Sequence, residues 1–478
     1  MIRSSLAAVL VCAAGAIAQK VTGPIPVTPA SHPFLAAEHN LEPMDLSKVG
    51  YVEEEFLLSG TADVYGYAAD GSVTVKTPKA PYTTRVLVRR PVDASRFSGT
   101  VVVELPNTAR RFDWTMLWGY AHNYVTDHGA AWVGITMPGA VPGLKKFNSI
   151  RYAAVSFPNP TPNEACPTGA GPGRGGSATS EQEDGLRWDA ITQVGSLLKS
   201  GNLPGLKADR VYLTTQGADV VTYAESIQPR AKVYDGFVIK SPGGPARISR
   251  CAATPPRNGP QYLHDVGVPV IGVLTEGEVL ASQPFLRPDS DESADRFRIY
   301  EIAGAAHIDA SPYISLPSVE DQNGAGAAQG TPQWPFNARC EPEIPLQQLP
   351  LQSYILNGAF TNLDLWVRNG TPAPKARRME LKDGQVALDE FGNGLGGVRS
   401  PYVEVPTARY FTTTAGPGTC RELGHDVKFD WARLDSLYGS YKKYAARVDE
   451  SIERMVKDRF VTETDAKRLR AALIGAGR

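Results

Sequence analysis

Short runs of apolar, mostly β-branched residues recur along the chain from about residue 50 to residue 370. Thr84–Arg90 carries Val86-Leu87-Val88, Thr100–Leu105 carries Val101-Val102-Val103, and Ala130–Thr136 carries Trp132-Val133-Gly134-Ile135. Arg210–Thr214, Tyr234–Lys240 and Val268–Thr275 read alike, and Arg296–Ala303 closes the series with Phe297, Ile299, Tyr300 and Ile302. Continuous runs of this length, without polar alternation, predict strands covered on both faces. Between them, Gly185–Leu198 and Ala218–Ile227 carry helical periodicity after polar or glycine-containing turns. Strand, helix and strand at these intervals predict an α/β protein with a mostly parallel sheet.

Two Pro/Gly-rich stretches, Pro158–Thr179 and Ser311–Glu341, interrupt the pattern and are expected to be loop insertions over the sheet. Past about residue 380 the chain reads as a C-terminal extension, loop-rich over Asp383–Thr413 and helical and charged over Leu434–Gly477. At the other end, Arg3 precedes an apolar run, Leu6–Ala18, that finishes in Ala16-Ile17-Ala18. That is the form of a cleaved secretory signal, too short to span a bilayer. The expected organisation is a signal over 1–18 and one domain over 19–478, with a core at about 50–370 and the extension at about 380–478. The protein is expected outside the cytosol, extracellular or periplasmic.

Export changes how the cysteines read. Cys12 leaves with the signal, and Cys166, Cys251, Cys340 and Cys420 remain. In an oxidising compartment four cysteines predict two disulfides. All four fall in loop-rich stretches, and the expected pairs are Cys251–Cys340 and Cys166–Cys420. No C-x-x-C pair occurs and no His/Cys/Asp/Glu cluster has metal-ligand spacing, so neither a metal nor another cofactor is expected. Lys and Arg number 49 against 50 Asp and Glu, and the basic pairs Arg89-Arg90 and Arg110-Arg111 stand alone. This balance argues against a nucleic-acid partner and leaves a small-molecule substrate or ligand.

In a parallel α/β sheet, chemistry collects in the loops at the carboxyl ends of the strands. Three such loops carry reactive side chains: Thr214-Thr215-Gln216-Gly217-Ala218, Thr275-Glu276-Gly277-Glu278, and Ala303-Gly304-Ala305-Ala306-His307-Ile308-Asp309. Strand-turn-helix, then acid, then histidine is the chain order of the α/β-hydrolase triad, whose nucleophile sits on a sharp elbow. The histidine takes the nucleophile's proton and the acid fixes the imidazole tautomer.

Further segments carry a family likeness: Val21-Thr22-Gly23-Pro24-Ile25-Pro26, Gly50-Tyr51-Val52-Glu53-Glu54-Glu55-Phe56, Ala80-Pro81-Tyr82-Thr83-Thr84-Arg85 and Val88-Arg89-Arg90-Pro91. Gly304-Ala305-Ala306-His307, Phe391-Gly392-Asn393 and Gly396-Gly397-Val398-Arg399 continue it. With these the chain resembles the secreted α/β-hydrolase-domain proteins of unassigned substrate, over almost its whole mature length. The resemblance implies an α/β-hydrolase fold with helices on both faces of the sheet, cap insertions and no cofactor.

The chain departs from the family at the elbow. Members show Gly-x-Ser-Gln and then a small residue, where this chain reads Leu213-Thr214-Thr215-Gln216-Gly217. Aligned on the Gln, Thr215 takes the serine's place; a shifted register offers Thr214. A threonine carries an extra methyl beside the attacking oxygen and is stiff at χ1. Both threonines also read as caps of the following helix. Glu278 matches the family's acid, with Glu276 as the alternative, and Asp309 is a further group that could orient His307. The backbone N–H groups of Gln216 and Asn107 are the expected oxyanion donors. Trp114, Trp118, Trp132 and Trp188 read as core more than pocket.

The expected function is thus an exported ester or lactone hydrolase with Thr215, His307 and Glu278 in the triad positions. Its rival is a non-hydrolytic member of the fold that has lost the serine: a small-molecule or lipid binder, or a cyclase or isomerase.

Overall fold

The apolar runs form the middle of one large sheet. The computed structural model describes residues 19–166, 181–252, 263–283, 286–309, 315–327, 340–341 and 349–475. The expected signal at 1–18, most of the glycine-rich stretch, and parts of the second insertion lie outside the described residues. The sheet holds β1 (Lys20–Thr22), β2 (Tyr51–Tyr67), β3 (Val73–Pro91), β4 (Thr100–Leu105), β5 (Ala131–Ile135), β6 (Arg210–Gln216), β7 (Gly236–Lys240), β8 (Val270–Thr275), β9 (Ser290–Glu292) and β10 (Asp295–Ile302). Their order is β1-β2-β3-β5-β4-β6-β7-β8-β10-β9. From β5 to β10 neighbours pair in parallel, while β1, β2, β3 and β9 are attached antiparallel. Every residue of β4, β5, β7 and β8 is buried, so both faces of these strands are covered. Trp118, Trp132 and Trp188 are fully buried in the core.

The helices that matter for the site are α1 (Met116–Asp127), α2 (Val141–Phe147), α3 (Arg187–Ser200), α4 (Ala218–Thr222), α5 (Gln228–Ala231), α6 (Glu276–Ser282), α7 (Val319–Gly324) and α8 (Leu351–Asn369). The helical reading of Ala218–Ile227 becomes α4 followed by a π-helical turn, Tyr223–Ile227. The charged C-terminal extension folds into α9 (Pro401–Glu404), α10 (Trp431–Tyr438), α11 (Tyr441–Lys457) and α12 (Glu463–Ile474). It is knitted onto the core through α8. Asn357 accepts from the Tyr124 N–H at 3.2 Å and donates to Asp465 at 2.9 Å, and Asn362 donates to the Arg459 carbonyl at 2.7 Å.

The long hairpin of β2 and β3 was legible only at its inner end, around Thr84–Arg90, because Glu53-Glu54-Glu55 breaks the apolar pattern. The structure gives the reason. Arg89 and Arg90 on β3 bond Glu53 and Glu54 on β2, each at 2.8 Å. Glu55 is buried, bonded by Arg85, by the Arg151 Nε at 2.5 Å and by the Tyr152 hydroxyl at 2.8 Å. A charged stretch therefore belongs to the sheet because its partners arrive from the neighbouring strand and the loop at residue 151.

The cysteine pairing differs from the expected one. Cys166 bonds Cys251 and Cys340 bonds Cys420. Each bridge joins loops that the fold brings together, with Cα atoms 4.8 and 5.5 Å apart, and the spacing along the chain carries no trace of that proximity.

Glu104, near the end of β4, is fully buried and accepts from the Leu117 and Trp118 N–H groups at 2.9 and 2.8 Å and from the Trp132 indole at 2.9 Å. Burial pushes its carboxyl up to about 7 despite these donors. A carboxyl raised on folding gives its full stabilising share below its unfolded value, near 4.3, and loses it as the pH rises through about 7. Thermal scans from pH 4 to 8 should therefore show wild type losing stability relative to Glu104→Gln as the pH rises. Parallel profiles would remove Glu104 from the pH dependence.

Candidate active site

β4 has β5 on one side and β6 on the other, so the order of travel across the sheet reverses there. The crevice beyond the carboxyl ends of such a pair is where open α/β sheets bind ligands. A cavity of about 540 Å³ opens there, lined by Asn107 after β4, Gln216 and Gly217 after β6, Ser241 after β7, and His307 after β10. A larger groove of about 790 Å³ runs between Lys375–Arg377, Gly396–Arg399 and Ser451–Phe460, and it includes neither His307 nor Glu278.

His307 sits in a turn fixed from several sides. Lys240 Nζ donates to its carbonyl at 2.9 Å, the Ile308 N–H donates to the Glu422 carbonyl at 3.0 Å, and Gln352 of α8 donates to the Ala306 carbonyl at 3.0 Å. Gly304 begins the turn at φ 74°, where a Cβ would also strike Val403 at 2.8 Å, so glycine is required. The imidazole remains part-exposed toward the cavity.

Glu278 holds the Nδ1 side of this ring. It is the third residue of α6, and its Oε2 accepts from the Thr275 N–H at 2.8 Å, closing the start of that helix. Its Oε1 is shared between His307 Nδ1, the Ser241 hydroxyl at 2.5 Å and Lys240 Nζ at 3.2 Å. Burial alone would push this carboxyl up. The ammonium of Lys240, His307 and the Ser241 hydroxyl instead hold it well below the ordinary carboxylate range. Glu276 turns elsewhere, accepting from the Gly304 N–H at 2.8 Å, and burial raises its carboxyl. Asp309 accepts from the Gln352 N–H at the start of α8 at 3.2 Å.

Lys240 and Ser241 were not singled out in the sequence. A lysine at the carboxyl end of an apolar strand was the available signal: Lys240 pairs in register with Gln216, and its side chain is fully buried.

The elbow is where sequence order and geometry part. The strained residue of the strand-to-helix turn is Gly217, at φ 121° and ψ −157°, and it has no side chain to offer. Thr215 lines the cavity, but its hydroxyl donates to the Leu105 carbonyl of β4 at 2.7 Å. Thr214 donates to the Val238 carbonyl of β7 at 2.7 Å. Neither hydroxyl caps α4, whose start carries no side-chain cap. The side chain brought to His307 is Gln216, whose Nε2 lies 3.0 Å from His307 Nε2. Its Oε1 is buried and has no hydrogen-bond partner among the described residues. The Asn107 N–H, expected as an oxyanion donor, is taken by the Trp114 carbonyl at 2.8 Å; the residue lines the cavity, and its side-chain Oδ1 accepts from the Ala109 N–H at 2.9 Å.

Sheet order, the dyad after β8 and β10, and the turn after β6 agree with one family, and its model, described as an alpha/beta hydrolase domain, matches residues 21–471. The chain belongs to the α/β-hydrolase domain family. No curated protein matches it. Among solved structures, this α/β-hydrolase is similar to the esterase Est22, with 12% identity over 60% of this chain and 82% of that one and a TM-score of 0.30. It is also similar to Est1E from Butyrivibrio proteoclasticus, with 7% identity over 56% of this chain and 97% of that one and a TM-score of 0.27. The family assignment rests on the 21–471 match. Within that family, the α/β-hydrolase described here holds an acid–histidine dyad in contact with a carboxamide.

Proposed function

We propose that this protein hydrolyses a small polar ester or lactone by general-base catalysis, with His307 deprotonating water directly and no acyl-enzyme formed. The observation that carries this reading is the contact of His307 Nε2 with Gln216 at 3.0 Å, while the Thr215 hydroxyl is committed to the Leu105 carbonyl. With Nδ1–H donated to the ionised Glu278, the neutral imidazole presents its lone pair at Nε2. A carboxamide is no nucleophile, and the Gln216 amide hydrogen caps that lone pair at rest. When substrate and water enter, the Gln216 amide swings off. Its unpartnered Oε1 accepts a hydrogen bond from one O–H of the water, while His307 takes the proton of the other as the water oxygen attacks the ester carbonyl. In this reading the side-chain amide of Asn107, a residue that lines the cavity, meets the carbonyl oxygen as it gains charge. A cavity of about 540 Å³ suits a small molecule.

Replacing Gln216 by alanine then removes the water-positioning group. Turnover of a short activated ester should fall about tenfold, roughly 1.4 kcal/mol of barrier, with little change in KM. An unchanged rate in Gln216→Ala, together with loss of activity in Thr215→Ala, would overturn the assignment. A second reading, a binder without hydrolysis, draws on one feature: the base is capped by Gln216 and its acid is already balanced by Lys240. That reading gains if neither Gln216→Ala nor His307→Ala alters the background rate.

We also infer export. Arg3 and the apolar run Leu6–Ala18 form a signal, and the two disulfides are compatible with an extracellular location. No described helix is long and apolar enough to cross a membrane.

A further inference from the structure

A second cluster of ligating side chains lies outside the dyad. His32 and His39 stand on the N-terminal segment, and Asp321 stands in the first turn of α7. The chain separation of 289 residues between His32 and Asp321 hides the cluster from any reading of spacing. Backbone bonds bring the two segments side by side: Leu41 N–H to the Leu316 carbonyl at 2.7 Å and Ser318 N–H to the His39 carbonyl at 2.8 Å. The donor atoms of all three side chains lie within 4.8 Å of one another.

The geometry fits a simple ion pair poorly. A charge-assisted N–H bond to a carboxylate settles at about 2.7–2.9 Å on one oxygen. His32 Nε2 instead lies 3.2 Å from both oxygens of Asp321. The second imidazole, His39, makes no hydrogen bond to Asp321. It stacks on the first with ring centroids 3.6 Å apart and planes 10° apart. Asp321 is 3% exposed, and burial pushes its carboxyl up while His32 and His39 pull it down. Phe147, at the end of α2, closes one side at 5.3 Å from the His32 ring. The arrangement is a buried carboxylate facing two imidazoles.

Two imidazole nitrogens and one carboxylate oxygen are a zinc donor set, and three protein ligands leave one position for water. Ligands about 2.0–2.1 Å from a tetrahedral ion lie about 3.3–3.4 Å apart, close to the span already set between His32 and Asp321. His39 is exposed, so rotation of its side chain can unstack the rings and bring its nitrogen in. Calcium and magnesium take oxygen ligands and are disfavoured by the two imidazoles.

We propose that His32, His39 and Asp321 form a binding site for a divalent transition-metal ion, zinc by its donor set, that clamps the N-terminal segment to α7. The site is independent of His307 and Glu278. Titration of ZnCl2 into untagged, EDTA-stripped full-length protein should give one bound equivalent and a raised thermal midpoint, with no such response to MgCl2. His39→Ala, at an exposed position, and Asp321→Asn should each weaken binding at least tenfold while circular dichroism stays unchanged. His307→Ala should keep the equivalent. Absence of zinc binding, or a bound equivalent that survives both His39→Ala and Asp321→Asn, would overturn the site. Loss of zinc in His307→Ala alone would place the metal in the cavity instead.

Discussion

Hydrolysis of a short activated ester should fall by about a hundredfold or more in His307→Ala, the usual scale of general acid–base assistance. The ring is an imidazole at the cavity with the carboxylate of Glu278 behind it. Its neighbours separate a chemical role from a structural one. Glu278→Gln should also lose most of the activity, because it removes the charge that fixes the tautomer and leaves Lys240 buried without its carboxylate. Glu276→Gln should lose little, since Glu276 bonds the Gly304 backbone and does not reach the ring. kcat and KM for the three variants are the measurement. Equal losses at Glu276 and Glu278 would mean that the turn as a whole, and not the dyad, sets the rate.

The largest effect on stability is expected at Glu55→Ala. Glu55 lies between Arg85 and Arg151, all three buried, and its removal leaves two guanidinium groups facing one another in the core. Breaking a buried pair from one side costs about 3–5 kcal/mol, because the remaining charge is uncompensated. Here Asp113 is the remaining anion near Arg85, at 3.5 Å. The same cluster anchors the N-terminal segment, since Arg85 bonds the Phe34 carbonyl and Arg151 the Pro26 carbonyl at 2.9 Å. A urea midpoint for Glu55→Ala close to that of wild type would show that the segment is held by other contacts. A surface pair offers the comparison: removing Glu380 from its exposed bond to Arg377 should cost at most about 1 kcal/mol.

Much of this was legible in the sequence because the burial of the central strands leaves little choice of residue. Val101-Val102-Val103 and Val270-Ile271-Gly272-Val273-Leu274 announce strands covered on both faces, and the order of loops after β6, β8 and β10 placed an acid and His307 in one crevice. What stayed hidden depends on contacts between distant segments. Glu53-Glu54-Glu55 carries no apolar strand pattern, and its place in the sheet depends on Arg85, Arg89 and Arg90 standing opposite. Four cysteines allow three pairings, and only the path of the loops selects Cys166–Cys251 and Cys340–Cys420. His32, His39 and Asp321 share no spacing. At the elbow, the order Thr-Thr-Gln-Gly left open which side chain meets the histidine. Parallel strands answer it: Thr214 and Thr215 find backbone carbonyls on β7 and β4, and Gln216, the last residue of β6, is the side chain in contact with His307.

The central claim is base catalysis on water without an enzyme nucleophile, and covalent labelling tests it most directly. Wild-type protein with demonstrated, His307-dependent esterase activity is incubated with a fluorophosphonate probe and examined by intact-mass and peptide mass spectrometry. The expected result is no adduct and no burst in the pre-steady state, with turnover unaffected by the probe. An adduct on Thr215, with activity lost in proportion to labelling, would contradict the account and restore a threonine nucleophile.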